Sequence, residues 1–187
     1  DEGTPVRLFD RKRVLVLTPD ATRTCPLPMM IRSVVDVIGA RAAKLDFMVA
    51  LGTHTPLAQK DILKLYGIDS RRKMFRGTEF FNHEWGRQES FARIGTFTQE
   101  EVEDLSEGRL KEKVPIVINK RIFDYDLVLI VGPVFPHEVV GYSGGAKYLF
   151  PGISGGDFLH FFHWLAAVIT CKKIIGIKDT PVRRAID

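Results

Sequence analysis

Arg13-Val-Leu-Val-Leu17 runs into Thr18-Pro19-Asp20, and Asp46-Phe-Met-Val-Ala-Leu51 runs into Gly52-Thr-His-Thr-Pro56. Each is a short apolar run, rich in large side chains and stopped by loop residues, which is the pattern of a buried strand. Between them, Pro26 and Pro28 precede Met29–Ile38, where Met30, Val34, Val37 and Ile38 recur at helical spacing and Gly39 marks the stop. After the second run, Leu57–Tyr66 has a helical pattern closed by Gly67. Strand, loop and helix in alternation predict an α/β fold with a largely parallel sheet flanked by helices.

Reading outward, Ser90–Phe97 reads as a strand and the polar Gln99–Leu105 as a turn or short helix. Val114–Asn119 and Asp126–Val131 read as two strands separated by Arg121-Ile-Phe-Asp-Tyr125. Phe158–Thr170 reads as a strongly apolar helix, and Lys173–Ile177 as a closing strand. No internal repeat or low-complexity segment divides the chain, so residues 1–187 are expected to form one domain. In parallel sheets ligands bind beyond the carboxyl ends of the strands. Three polar loops stand there: Asp20–Cys25, Gly52–Pro56 and Gly132–Lys147.

The chain has 187 residues, 45% hydrophobic and 27% charged, enough for a substantial core. No apolar run approaches the roughly 18–20 residues of a membrane span. No secretory signal pattern is visible, and two cysteines, Cys25 and Cys171, make no disulfide framework. A cytoplasmic location is therefore the expectation, with no membrane partner. Net charge is +4, and the densest basic clusters, Arg11-Lys12-Arg13 and Arg71-Arg72-Lys73, are only three residues long. Nucleic-acid binding needs a longer basic stripe with interleaved aromatics. A small anionic ligand needs only a few Arg or Lys.

His54 and His137 both lie in tight loops after apolar runs. An imidazole titrates near neutral pH, so either can take or return a proton; the alternative is a loop histidine bonded to neighbouring backbone. Gly141-Tyr-Ser-Gly-Gly-Ala-Lys147 is glycine-rich and ends in lysine. Its amides can form an anion nest around Ser143, Gly144 and Gly145. It is not a P-loop, because Tyr148 follows Lys147 where that motif needs Ser or Thr. His160 and His163, three apart on one helix, can face the same way and bind a metal. Among Phe158, Phe161, Phe162 and Trp164, either also reads as a core histidine. Asp20-Ala-Thr-Arg23 offers a guanidinium to clamp a carboxylate and an aspartate to orient a histidine, or simply a surface ion pair. Asn82-His83-Glu84 is equally open.

Taken together, Asp20-Ala-Thr-Arg23, Leu51-Gly-Thr-His-Thr-Pro56, Asn82-His83-Glu84, Pro136-His137, Gly141-Tyr-Ser-Gly-Gly-Ala-Lys147, Pro151-Gly152 and His163 resemble the N-terminal domain of the lactate racemase family. These enzymes use a nickel-pincer nucleotide. The resemblance implies a Rossmann-like N-terminal catalytic domain and a small 2-hydroxy-acid substrate. Lys147 would hold the cofactor, Ni(II) pyridinium-3-thioamide-5-thiocarboxylic acid mononucleotide, through a thioamide bond. Thr22, Ser143, Gly144 and Gly145 would line it, and His163 would be the protein's ligand to nickel. His54 and His137 would be paired acid–bases, while Asp20 and Arg23 would support a catalytic histidine and bind the substrate carboxylate. The implied chemistry moves hydride from the substrate to the pincer carbon while a histidine removes the hydroxyl proton. A second, C-terminal domain beyond Asp187 is the expected partner.

Two other classes remain compatible with the residues. One is a nucleotide- or phosphate-binding domain without redox chemistry, using Ser143–Lys147 as an anion nest. The other is a metal-free structural or regulatory relative. Nickel content and intact mass separate all three.

Overall fold

A computed structural model describes residues 6–69 and 73–187. Arg71 and Arg72 of the second basic cluster lie outside the described residues. The chain divides into two compact units. The first comprises the described residues of Asp1–Leu51, Thr55–His83 and Arg121–Gly132; the second comprises Gly52–His54, Glu84–Lys120 and Pro133–Asp187.

The first unit is the α/β part. Strands β1 (Arg13–Thr18), β2 (Lys44–Val49), β3 (Phe80–Asn82) and β6 (Leu127–Ile130) form one sheet in the order β3-β2-β1-β6. All its pairings are parallel. β1 and β2 sit inside the sheet and are buried at five of six positions, which explains why their sequences are continuous rather than alternating apolar runs. Helix α1 (Leu27–Ile38) buries Leu27, Ile31, Val35 and Ile38, one residue per turn on a single face. Of the stripe expected from sequence, Ile38 is buried and Met30 and Val34 pack half-buried against the same core, while Val37 is 53% exposed and falls off it. Pro28 stands in the first turn, where its missing N–H costs no intrahelical bond. Helix α2 (Gln59–Leu65) is followed by Gly67 at φ +63°.

Aromatic rings fill this core. Phe47 stacks on Phe80 at 5.6 Å and leans on Tyr66 at 5.7 Å. The buried Tyr66 hydroxyl pairs with Thr18 Oγ1 at 2.7 Å, so the ring buries its area without stranding a polar atom. Asp46 is fully buried, yet accepts from the Tyr125 hydroxyl at 2.6 Å and the Glu79 amide at 2.8 Å, and lies 3.0 Å from Lys44 Nζ.

The second unit is less regular. β4 (Phe91–Phe97) pairs antiparallel with β5 (Val114–Asn119), with a register shift between Arg93 and Gly95. Val114–Asn119 is thus a strand, as its sequence predicts, but outside the parallel sheet. Gln99–Leu105 is helix α3, whose capping box joins Thr98 and Glu101 reciprocally. β7 (Pro136–His137) and β8 (Gly141–Tyr142) make a two-residue ribbon. Helix α4 (Gly156–Ile169) buries Phe158, Phe161, Phe162, Leu165, Ala166 and Ile169 in a second core, and Leu159 outside that cluster. The short helix α5 (Pro181–Arg184) adds Val182.

Lys173–Ile177 is not a strand. Cys171–Lys173 is a 3-10 turn, Gly176 takes φ +71°, and its amide bonds the Gly141 carbonyl at 2.9 Å. The apolar Ile174 that suggested a strand instead plugs the second core. Among the described residues, no helix is long and apolar enough to cross a membrane.

Candidate functional site

In the first unit, Asp20, Thr22 and Arg23 form the turn after β1. Asp20 is 7% exposed, and its Oδ1 accepts from the Thr22 amide at 3.0 Å and the Thr22 hydroxyl at 2.5 Å. An aspartate that bonds backbone two residues on fixes a turn by itself. The Arg23 amide closes the same turn onto the Asp20 carbonyl at 3.4 Å. Thr22 thereby spends its hydroxyl proton on Asp20. In the same unit His83 is fully buried, its amide donating to the Val49 carbonyl at 3.1 Å. The Asn82 carboxamide brackets Leu57, accepting from its amide at 3.1 Å and donating to its carbonyl at 2.8 Å.

His54, His137, Lys147 and His163 all belong to the second unit. His54 is exposed in a loop anchored twice. The Gly52 amide donates to the Gly152 carbonyl at 2.9 Å, and the Trp85 indole Nε1 donates to the His54 carbonyl at 3.0 Å. Gly152 in turn donates to the Lys147 carbonyl at 3.1 Å. A ladder of main-chain bonds therefore runs from the His54 loop to the turn carrying Lys147.

The ribbon β7–β8 presents His137, only 8% exposed. Its Nδ1 accepts from the Val139 amide at 3.1 Å, which sets the proton of the neutral ring on Nε2. Glu138 Oε2 lies 3.7 Å from the same Nδ1. Ser143 holds the loop together: its hydroxyl donates to the Pro133 carbonyl at 3.1 Å and accepts from the Phe135 amide at 3.0 Å. Gly141 and Gly144, at φ +79° and +80°, must be glycine twice over. The backbone conformation excludes L side chains, and a Cβ would overlap the Ile177 carbonyl at Gly141 or the Val134 side chain at Gly144. Lys147 follows in a 3-10 turn, Gly145–Tyr148, half-buried.

On α4, His160 and His163 are both exposed. His160 is therefore not the core residue its apolar neighbours suggested, because α4 turns Phe158, Phe161 and Phe162 inward instead. His163 stands edge-on to Phe162 at 5.4 Å, and its Nδ1 donates to the Leu159 carbonyl at 3.0 Å. Partial burial pushes its pKa below the ordinary histidine value; the charges of Lys147 and His160 act in the same direction, against the Leu159 bond and Glu138. Lys147, His160 and Glu138 are thus each within electrostatic reach of His163. A neutral ring with Nδ1 committed to a carbonyl presents a bare Nε2, the form that binds a metal. Among the described residues no group of three or more His, Cys, Asp or Glu could hold a metal ion.

The sequence reading passed over Trp85, the Leu159 and Gly152 carbonyls, and the edge strand β3. Trp85 directly follows Asn82-His83-Glu84, so position was a signal, but only titratable groups were weighed there.

The chain matches the family model described as the lactate racemase N-terminal domain over residues 6–174. Two curated relatives, both called lactate racemase, come from Thermoanaerobacterium thermosaccharolyticum and Lactiplantibacillus plantarum. They are 27% and 26% identical over 146 and 148 residues, 77% of this chain in each case. The chain spans about 30% of the length of each. Among solved structures, a Thermotoga maritima protein superposes with TM-score 0.84 at 32% identity, covering 94% of this chain and 41% of that one. The lactate racemase apoprotein of T. thermosaccharolyticum shares the fold with TM-score 0.75 at 22% identity, over 98% of this chain and 41% of its own.

Proposed function

The chain belongs to the lactate racemase N-terminal domain family, and from that premise we propose that it handles the cofactor and the protons of a 2-hydroxy-acid racemase. The substrate class is lactate or a close relative, and the cofactor a nickel-pincer nucleotide. The observation that carries this reading is His163, whose Nδ1 is tied to the Leu159 carbonyl at 3.0 Å within electrostatic reach of Lys147.

The residues fit that group. A single imidazole with a bare Nε2 suits a metal that arrives already bound by a pincer, and Ni(II) favours the tetragonal geometry such a set completes. Lys147 would be the amine of covalent attachment, on a turn tied through Gly152 to the His54 loop. Ser143 supports the turn rather than an anion nest, since its amide bonds the Phe135 carbonyl at 2.9 Å and its hydroxyl the Pro133 carbonyl at 3.1 Å. This observation favours the racemase over a plain phosphate-binding loop. When bound, the pincer nucleotide would supply an electrophilic carbon for the substrate's Cα hydrogen, so the carbon beside the carboxylate need not become a carbanion.

The chain's own residues then manage the proton. His54, exposed on its anchored loop, takes the hydroxyl proton. His137 in its neutral form offers Nε2–H to the substrate oxygen. To accept a proton at Nε2, it must shift its ring proton to Nδ1, giving up the Val139 amide and facing Glu138 Oε2 at 3.7 Å. The two histidines are therefore not equivalent at rest, one a base and the other a donor. Arg23, beside the turn locked by Asp20 and Thr22, is assigned to the substrate carboxylate.

Isotope tracing tests the reading. An α-deuterated 2-hydroxy acid should racemise with its deuterium largely retained. Extensive washout into water would mean Cα deprotonation and would overturn the hydride route.

A further inference from the structure

We propose that Trp85 is the positioning residue of His54. This rests on the acid–base role given to His54 above, but it is carried by different contacts. The imidazole projects from an exposed loop, and a side chain on such a loop inherits every movement of its own peptide plane. At the plane after His54, the Trp85 indole Nε1 donates to the His54 carbonyl at 3.0 Å. An indole is donor-only, rigid and set by two torsions, so it fixes an acceptor with little entropy to lose.

The bond is one half of a clasp on the His54 loop. On the far side of Thr53, the Gly52 amide is tied to the Gly152 carbonyl at 2.9 Å. Gly52 takes φ +58° to make that turn. His54 is thus bracketed before by the Gly52 bond and after by the Trp85 bond. Trp85 stays 38% exposed, so packing alone does not account for an indole at this position.

Misplacing a catalytic group by about 1 Å can cost two orders of magnitude in rate, so a loosened carbonyl should show in turnover before it shows in folding. Two replacements at position 85 separate the bond from the ring. Trp85→Phe removes the donor and shortens the ring system. Exchange of the indole for benzothiophene, by incorporation of the corresponding amino acid, removes the donor at nearly constant shape. The 187-residue chain is isotope-labelled and the histidine ring resonances are recorded.

The Trp85 indole proton should exchange with water at least about tenfold more slowly than that of Trp164, as a bonded donor does. In both replacements the His54 ring signals should split or broaden while those of His137 hold. In cofactor-loaded racemase, kcat should fall about tenfold with KM within about twofold, the pattern of a misplaced acid–base. Unchanged His54 signals in the benzothiophene protein would overturn the proposal, whatever happens to the rate. Altered His54 signals with unchanged turnover would uphold the clasp and instead overturn the acid–base role of His54.

Discussion

The two units of the chain solve different problems. In the first, β1 and β2 are buried at five of six positions and every strand pairing is parallel, so side chains pack and main-chain groups bond one another. In the second, a two-residue ribbon, a bulged pair and left-handed glycines at Gly141, Gly144, Gly145 and Gly176 leave main-chain groups free of ladders. Those groups are what hold the candidate site. The Val139 amide orients His137, the Leu159 carbonyl orients His163, and the His54 carbonyl is itself the point of anchorage. Regular backbone spends its polar groups on itself; irregular backbone can spend them on imidazoles.

If this contrast is right, damage in each unit should read out differently. The largest effect belongs to the imidazoles: His54→Ala and His137→Ala should each slow racemisation by about two to four orders of magnitude, with the fold intact by circular dichroism. Retention of activity within tenfold by either variant would break the assignment. Phe47→Ala, in the core of the first unit, should cost about 3–5 kcal/mol in urea unfolding, because a large ring buried against Tyr66 and Phe80 leaves a cavity. Gly141→Ala should cost more than the roughly 1–3 kcal/mol of strain at positive φ alone, because its Cβ would also fall on the Ile177 carbonyl, and should disturb the His137 ring signals as well. A Gly141 variant that unfolds more easily but leaves His137 unmoved would show that the ribbon does not orient the site.

The pH response is smaller. The His163 pKa is lowered in the folded chain, so the folded state binds fewer protons than the unfolded state just below the ordinary value of about 6.5. Its contribution to stability is therefore intact above that value. It is lost as pH falls from there through the lowered folded value. A ring titration by NMR should find the His163 midpoint below the ordinary histidine value; a midpoint above it would contradict the desolvation argument. Smallest of all, His160→Ala should change stability by less than about 0.5 kcal/mol, as expected for an exposed side chain away from special geometry.

The first unit was legible because its signals are local. Continuous apolar runs ended by Pro and Gly mark buried parallel strands, and Gly67 closes its helix as read. On α1, Met30, Val34 and Val37 satisfy helical spacing as well as Leu27, Ile31 and Val35 do; packing on the sheet keeps Met30 and Val34 at the margin of the core and leaves Val37 out. β3 was missed because three residues carry too little periodicity. In the second unit the glycine loop and the titratable residues were visible as chemistry. Their holding bonds were not, since a carbonyl such as Leu159 or Gly152 has no signature in its side chain. The same blindness turned Ile174 and Ile177 into a strand, although one plugs a core and the other leaves its carbonyl against Gly141.

The central claim is that Lys147 and His163 together hold a nickel-bearing cofactor. It is tested most directly by making the protein alongside the enzymes that synthesise the pincer nucleotide, then measuring intact mass and nickel content. The parent and His160→Ala should carry the covalent mass increment and nickel. Lys147→Ala should carry neither. His163→Ala should keep the increment but lose nickel. An adduct that persists in Lys147→Ala, or nickel held equally by His163→Ala and the parent, would contradict the account.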